Sequence, residues 1–338
     1  MRSRPPRVAV ASDDLKFFAP VDGWLREAGA VLRYDRWWGH RRHDPDRGRE
    51  LAAWADVVVC EFCVGNAVFH SALRAERGGL PARLVVRLHR VELLHRYGAE
   101  LDATAVDLVV VPSAHIRDEA LEAFRWPAER TVVVPNPVDV AAFPTTKAPE
   151  AARTLGMIGW NRAVKRPHLA LDLLERLRAS DPRWTLRLKG ARPEEVGWVW
   201  DDPNERAYFE AFYARLDASP SLAAGVTFDA HGPVAGWLAG IGYILSTSEV
   251  ESFHLGAAEG MASASVPVLL PRPGVEEIFD ARWLHEDPAA AAAALERLAG
   301  DDDARRREGE AARALDADRY DLPPIRRAWE RLVLDRRA

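Results

Sequence analysis

Lysine is nearly missing from this chain: four of 338 residues, at positions 16, 147, 165 and 189, against 42 arginines. Arginine is therefore the default surface cation, and a lysine that persists against that bias is worth following; two of the four fall at strand ends in the second half. Cysteine is scarcer still, with only Cys60 and Cys63. A C-x-x-C pair can be a redox couple, but this one ends an apolar run with no further cysteine and no ligand set around it. The expectation is two reduced thiols in or near a core, hence a reducing compartment, the cytoplasm. No apolar stretch is long enough to cross a bilayer, and residues 1–6, M-R-S-R-P-P, lack the apolar core of a secretory leader. Peripheral contact with a membrane stays open. A formal charge of −5 argues against nucleic acid as the main partner. There is no internal repeat, and the one biased segment is an alanine-rich stretch at 289–294.

What the chain does have is a long series of short β-branched and leucine runs. Those at 7–11, 31–34, 56–60, 83–88, 107–111 and 131–134 read as strands buried on both faces of a parallel sheet. Helical segments separate them; the one at 114–124 has Ser113 as its expected N-cap. This alternation predicts a doubly wound α/β domain. No G-x-G-x-x-G follows the first strand, so a dinucleotide is not indicated. At 134–139, V-P-N-P-V-D sets two prolines in three residues, which forbids a helix and favours an extended linker. A second alternation follows, with strands at 155–158, 185–188, 226–228, 243–245 and 266–270 and a helix at 166–179. The expected division is 1–147 plus 318–338 against 148–317.

The stretch 246–260, S-T-S-E-V-E-S-F-H-L-G-A-A-E-G, stands between the strands at 243–245 and 266–270. Ser252 is a candidate cap for the helix between them. The backbone N–H groups near Phe253, His254 and Leu255 would then point outward from the carboxyl end of the sheet. A helix start of this kind attracts phosphate, because unpaired donors and the positive end of the dipole coincide there. Glu251 and Glu259 flank it. Carboxylates repel phosphate but accept hydrogen bonds from hydroxyls, so the combination suits a diphosphate with a polyol on either side: a nucleotide-sugar. A second cationic cradle, G-W-N-R-A-V-K-R at 159–166, follows the first strand of the second half.

These motifs carry a resemblance. Glu251 and Glu259 bracket seven residues, and E-S-F-x-L-x-x-x-E-G-M-A-x-x-x-V-P-V resembles the E-x7-E signature of GT-B retaining glycosyltransferases, especially family 4. His254 stands where the family usually has Gly, and Gly260 where it has Ala. The string V-P-N-P-V-D with Phe143 resembles the family's V-P-N-x-V-D-x-x-x-F, which closes the N-terminal domain. The 159–166 loop resembles G-R-x-x-x-x-K. The resemblance implies two Rossmann-like domains facing a cleft, with the donor bound mainly by the second and the acceptor by the first. It implies a sugar moved from a nucleotide-diphosphate sugar, a UDP-sugar slightly favoured, to a glycan or small-molecule acceptor hydroxyl. Configuration would be retained and neither metal nor other cofactor needed. Glu251 would then meet the transferred sugar and Glu259 the ribose, while Arg162, Lys165 or Arg166 neutralises the leaving diphosphate. Phe253, His254, Leu255 and Ser252 line the donor, and His89, at the carboxyl end of its strand, sits near the donor sugar. Family members return their last helix to the first domain, as 325–333 with Trp329 is placed to do.

Several residues stay ambivalent. Lys189 lines the same cleft or is a plain strand-end lysine, and His89 is a catalytic or a core histidine. Asp13, Lys16, Glu61 and Asn66, at the same edge of the first domain, are candidates for the acceptor. Trp37 and Trp38, with the basic 40–43 loop, suit a sugar face or a core. His231 is placed to pack against the nucleotide base. His89, Glu92 and His95 form H-x-x-E-x-x-H, which is not a zinc-protease pattern. Asp201-Asp202 and Asp301 to Asp303 precede helices or lie in a loop, so no acidic pair marks a metal site. Two other classes remain: a sugar-nucleotide epimerase, which would turn over its substrate without an acceptor, and a non-catalytic partner with the same fold.

Overall fold

The computed structural model describes residues 4–76 and 82–335; residues 1–3, 77–81 and 336–338 lie outside it, including half of the stretch inspected for a leader and the outermost ends of the expected domains. The chain forms two compact units, Met1–Asn136 with Pro323–Ala338, and Pro137–Leu322.

The first unit is built on strands β1 (Arg7–Ser12), β2 (Val31–Arg36), β3 (Val57–Glu61), β4 (Arg83–Arg87), β5 (Leu108–Val111) and β6 (Thr131–Val133). All pair in parallel, in the order β2-β1-β3-β4-β5-β6. Helices cover both faces of such a sheet, and the central strands accordingly have apolar middles: Val8, Ala9, Val10, Ala11, Val59 and Val110 are wholly buried. Ser113 caps the helix Ala114–Phe124 by accepting the Ile116 N–H, as its sequence implies. Strand order reverses between β1 and β3. Ligands of open α/β sheets bind in the crevice at such a reversal, outside the carboxyl ends of the strands. The last helix, Leu322–Leu334, repeats Ile325, Trp329 and Val333 on one buried stripe. Trp329 meets the edge of Phe18, ring centroids 6.1 Å apart, and carries the Arg87 guanidinium over its face. The helix belongs to the first unit for that reason.

The second unit has strands β7 (Thr154–Ile158), β8 (Thr185–Lys189), β9 (Val226–Asp229), β10 (Tyr243–Ser246) and β11 (Val266–Leu269), again all parallel, in the order β11-β10-β7-β8-β9. Here the reversal falls between β7 and β10. Helix Leu255–Ala262 joins β10 to β11 and lies unusually close to the sheet. A Cβ at Gly260 would stand 2.4 Å from Ile244 Cγ1, and one at Gly256 2.9 Å from Ile158 Cβ. Gly260, where the family pattern has Ala, is thus a packing requirement of this helix.

The units divide earlier than expected, after Asn136 rather than 147, and the return falls at Leu322/Pro323 rather than near 318. The reason is hydrogen bonding. The Val138 N–H bonds the Tyr320 carbonyl and the Val140 N–H bonds Asp321, so both connections are sewn together on the second unit. Val138 and Val140 are buried in its core, and Lys147 is anchored there by the Leu238 carbonyl and the hydroxyls of Ser263 and Ser265.

Candidate active site

At the reversal point of the second sheet, the loops after β7 and β10 are tied to each other. The Glu249 N–H bonds the Val164 carbonyl and the Thr247 hydroxyl donates to the Lys165 carbonyl. Arg166, in the left-handed region at φ 50°, sends its guanidinium to the carbonyls of Thr247, Ser248 and Pro271. Arg166 is therefore a strap across three loops, with those donors engaged by the protein itself.

This frame brings Lys165 and Glu251 together. Glu251 Oε1 receives Lys165 Nζ at 2.5 Å and the Ser248 hydroxyl at 2.7 Å, with His254 Nε2 3.7 Å away. Among the described residues nothing donates to Oε2. The Glu251 side chain is only 12% exposed. Burial pushes its carboxyl up, but His254, Lys165 and Ser248 outweigh that and hold it at about 2. Burial holds the His254 imidazole down at about 4, so at neutral pH it is uncharged and Lys165 is the cation that keeps Glu251 ionised. His254 Nδ1 shares a 2.6 Å hydrogen bond with the Ser246 hydroxyl, which fixes the ring.

The cap of the helix is not Ser252. Helix Leu255–Ala262 begins two residues later than Ser252 capping requires, because His254 takes the left-handed conformation, φ 71°, and becomes the N-cap without a side-chain bond. The Leu255 and Gly256 N–H groups, first in the helix, find no acceptor among the described residues, as at any uncapped start. Phe253 is 1% exposed and packs edge-on against Tyr320, a core residue of the same unit. Glu259 is half-buried, and no donor among the described residues reaches its carboxyl. Burial alone raises it to about 7.

Two of the expected cations stand apart from this cluster. Arg162 donates to Glu205, lies 4.7 Å over the Trp198 ring, and so turns toward helix Pro203–Ala218. The residue directly after Gly159, where G-R-x-x-x-x-K has arginine, is Trp160, fully buried in the core. Lys189 ends β8 half-buried, without a side-chain partner among the described residues. His231 follows β9 on an exposed turn. Sequence reasoning passed over three residues here. Ser248 orients Glu251. Glu205 binds both Arg162 and the Ala163 N–H. Arg272, three residues past β11, is only 7% exposed, and its Nε and Nη2 have no hydrogen-bond partner. The one available signal was an arginine in P-R-P-G directly after a strand.

The reversal point of the first sheet gathers the other candidates. Glu61, at the end of β3, is 0% exposed; it receives Arg87 Nη1 at 3.2 Å and lies 3.1 Å from His89 Nε2. Arg87 also donates to the Phe17 carbonyl and to Asn136 Oδ1. Glu92 accepts the backbone N–H groups of His89 and Cys63, which fixes the histidine's loop. The His89 ring lies between Phe17 and Phe62, 4.7 and 4.6 Å between centroids, with Phe62 strained at φ 64°. Asn66 uses its amide on the carbonyls of Ala11 and Glu61 and its oxygen on the N–H groups of Val64 and Ala67, so it ties β1 to β3. Asp13 and Lys16 are exposed, Lys16 pairing with Asp14 at 3.1 Å. Trp37 is buried, donating to Asp35, whereas Trp38 is 48% exposed. Both cysteines are free and buried, their thiols pushed well up by desolvation. Asp202 and Asp301 cap helices, and among the described residues no cluster of His, Cys, Asp and Glu is arranged to hold a metal.

Residues 8–142 match the family model described as Glycosyltransferase Family 4. No curated protein matches the sequence. Among solved structures the chain is similar to Anabaena HepE in complex with UDP, at 14% identity over 97% of this chain and 99% of that one, TM-score 0.75. It is also similar to a glycosyltransferase from Rickettsia africae, at 13% identity over 99% and 100%, TM-score 0.74. A third is sucrose-phosphate synthase from Thermosynechococcus elongatus, at 16% identity over 97% and 98%, TM-score 0.69. Identities this low speak for the fold, two Rossmann-like α/β units of the GT-B class.

Proposed function

We propose that this glycosyltransferase, whose residues 8–142 are a Family 4 domain, moves a sugar from a nucleotide-diphosphate sugar to an acceptor hydroxyl, with retention of configuration and without a divalent metal. The observation that carries the reading is Glu251 at the β7/β10 reversal point: ionised, oriented through Oε1 by Lys165 and Ser248, and with Oε2 left for a hydroxyl. A carboxylate so fixed is pre-organised to accept from the transferred sugar. Lys165 and the open start of helix Leu255–Ala262 supply positive potential for the departing diphosphate. Lys189 is a further cation at the same edge. Glu259, which no donor among the described residues reaches, is suited to the ribose hydroxyls, whose hydrogen bonds would favour its ionised form. In the first unit, His89 takes the catalytic role, Asp13 and Lys16 the acceptor side, and Glu61 and Asn66 act through the positions they enforce. HepE has been solved with UDP-glucose, which supports a uridine donor. Free buried thiols support a cytoplasmic setting, and among the described residues no helix is long and apolar enough to cross a membrane.

The test is transfer from a panel of nucleotide-sugars to mixed acceptors, followed by NMR of the product. Transfer should persist in EDTA and keep the donor's anomeric configuration. Activity abolished by EDTA and restored by magnesium contradicts the metal-free site; an inverted product contradicts retention.

A further inference from the structure

Arg272 is the most buried charged side chain at this edge without a charged partner of its own. It follows β11 on a Pro271-Arg272-Pro273-Gly274 loop whose path is fixed from two sides. Arg166 Nη2 holds the Pro271 carbonyl, and Gly274 turns the chain at φ 72°. Arg272 Nη1 bonds the Pro273 carbonyl at 3.3 Å and the guanidinium stands 6.0 Å from the Phe279 ring. Nε and Nη2, the two donors along one side of the fork, are shielded from solvent and meet no acceptor. Burial lowers the guanidinium's pKa to about 10, with Glu251 acting against that and Arg166 adding to it. A cavity of about 300 Å³ runs along Pro271, Arg272, Gly274 and Val275; the acidic residues on it, Glu276 and Glu277, belong to helix Val275–Ile278.

A guanidinium stripped of water with two parallel N–H groups unmet is costly unless something supplies the acceptors. Among the described residues nothing does. Three of the other cations here are already engaged, Lys165 by Glu251, Arg166 by carbonyls and Arg162 by Glu205, while Lys189 is less buried than Arg272 and can stay solvated. Two N–H groups on one edge of a planar fork match the two oxygens of a phosphate or a carboxylate.

We propose that Arg272 is an oxyanion-binding residue of this site, gripping with Nε and Nη2 one anionic group of the donor. The group is either a phosphate of the diphosphate or a carboxylate on the transferred sugar. The inference rests on the nucleotide-sugar reading above.

The experiment is calorimetric titration of the full chain, as parent, Arg272→Met and Arg272→Lys, with four probes: inorganic pyrophosphate, UDP, UDP-glucose and UDP-glucuronate. Circular dichroism checks the fold, and Arg272→Lys, which keeps the charge but loses the fork, serves if Arg272→Met does not fold. A loss of about tenfold or more for pyrophosphate and UDP in Arg272→Met, smaller in Arg272→Lys, supports the proposal with the diphosphate as the source. Unchanged UDP affinity, with a preference of the parent for UDP-glucuronate over UDP-glucose that disappears in both variants, supports it with the sugar carboxylate as the source. Equal affinity of parent and variants for every probe overturns it while leaving the function above intact. A parent that binds pyrophosphate through Arg272 but no nucleotide supports this inference and counts against the nucleotide-sugar reading.

Discussion

The carboxyl edges of the two sheets each bury a glutamate between a cation and a histidine, and the two trios differ in how far they are closed. In the first unit both oxygens of Glu61 are met by Arg87, His89 shares one of them, and the side chain is 0% exposed. In the second unit the donors among the described residues reach only one oxygen of Glu251, and its cation, Lys165, is 25% exposed. The same chemistry thus serves two ends. Closed on all sides, the trio is a fixed post that sets the position of His89. Left open on one side, it is a group that can meet a ligand. Buried ion pairs stabilise little by themselves but penalise heavily the loss of one partner, so the two glutamates should fail differently.

The largest expected effect falls on the closed trio. Glu61→Ala strands Arg87 without its carboxylate inside the protein, and should lower unfolding stability by about 3–5 kcal/mol, read from urea denaturation. A loss below about 1 kcal/mol would mean that water replaces the carboxylate and that the trio is not closed. Glu251→Gln should cost the fold less, because the partly exposed Lys165 can turn to water, but should slow transfer about 100-fold, because the change keeps the shape and removes the charge proposed to face the sugar. Turnover within threefold of the parent would place the catalytic carboxylate elsewhere.

A smaller effect separates the second unit's front from its interior. Asp316, on helix Asp302–Arg319, is 0% exposed with both oxygens unpartnered, and burial, with Asp321 and Glu259 nearby, raises it to about 8. A carboxyl raised in the folded state keeps a proton that the unfolded chain releases above about pH 4, so its contribution to stability falls as pH rises toward 8. Glu259 has the same sign with its end near 7. His254 has the opposite sign, its contribution rising with pH between about 4 and 6.5, so the comparison is with a variant rather than with a bare slope. Asp316→Asn should narrow the stability difference between pH 5 and pH 8 by about 1–2 kcal/mol relative to the parent. Parallel pH curves for the two proteins would show that Asp316 is ionised in the fold.

Much of this was legible in the sequence, for a physical reason. Strands buried on both faces are rich in valine, leucine and isoleucine, so the central runs stand out and, with the shorter mixed runs of the edge strands, mark the two sheets to within a residue or two. The Glu251/Glu259 spacing marked the segment between β10 and β11, at the reversal point of the second sheet, because that segment is continuous in the chain. What depended on distant partners was not legible. Arg162 turns away because Glu205, 43 residues on, takes it. The helix start shifts past Ser252 because Ser246 and a buried pocket hold the His254 ring. The unit boundary moves because Val138 pairs with a residue 182 positions later, Tyr320. Arg272 gives no sign in the sequence that two of its donors are left unmet.

The central claim is that a nucleotide-sugar seats on the open edge of the second sheet, with Glu259 on the ribose and Glu251 on the sugar. Calorimetric titration of UDP, GDP and ADP into the parent, Glu259→Ala and Glu251→Ala tests it most directly. One nucleoside diphosphate should bind the parent, lose about tenfold or more in affinity with Glu259→Ala, since a hydrogen bond to a charged group is worth about 1.5–3 kcal/mol and about 1.4 kcal/mol is tenfold, and bind Glu251→Ala as it binds the parent. Equal affinity in the parent and Glu259→Ala, or no binding of any of the three, contradicts it.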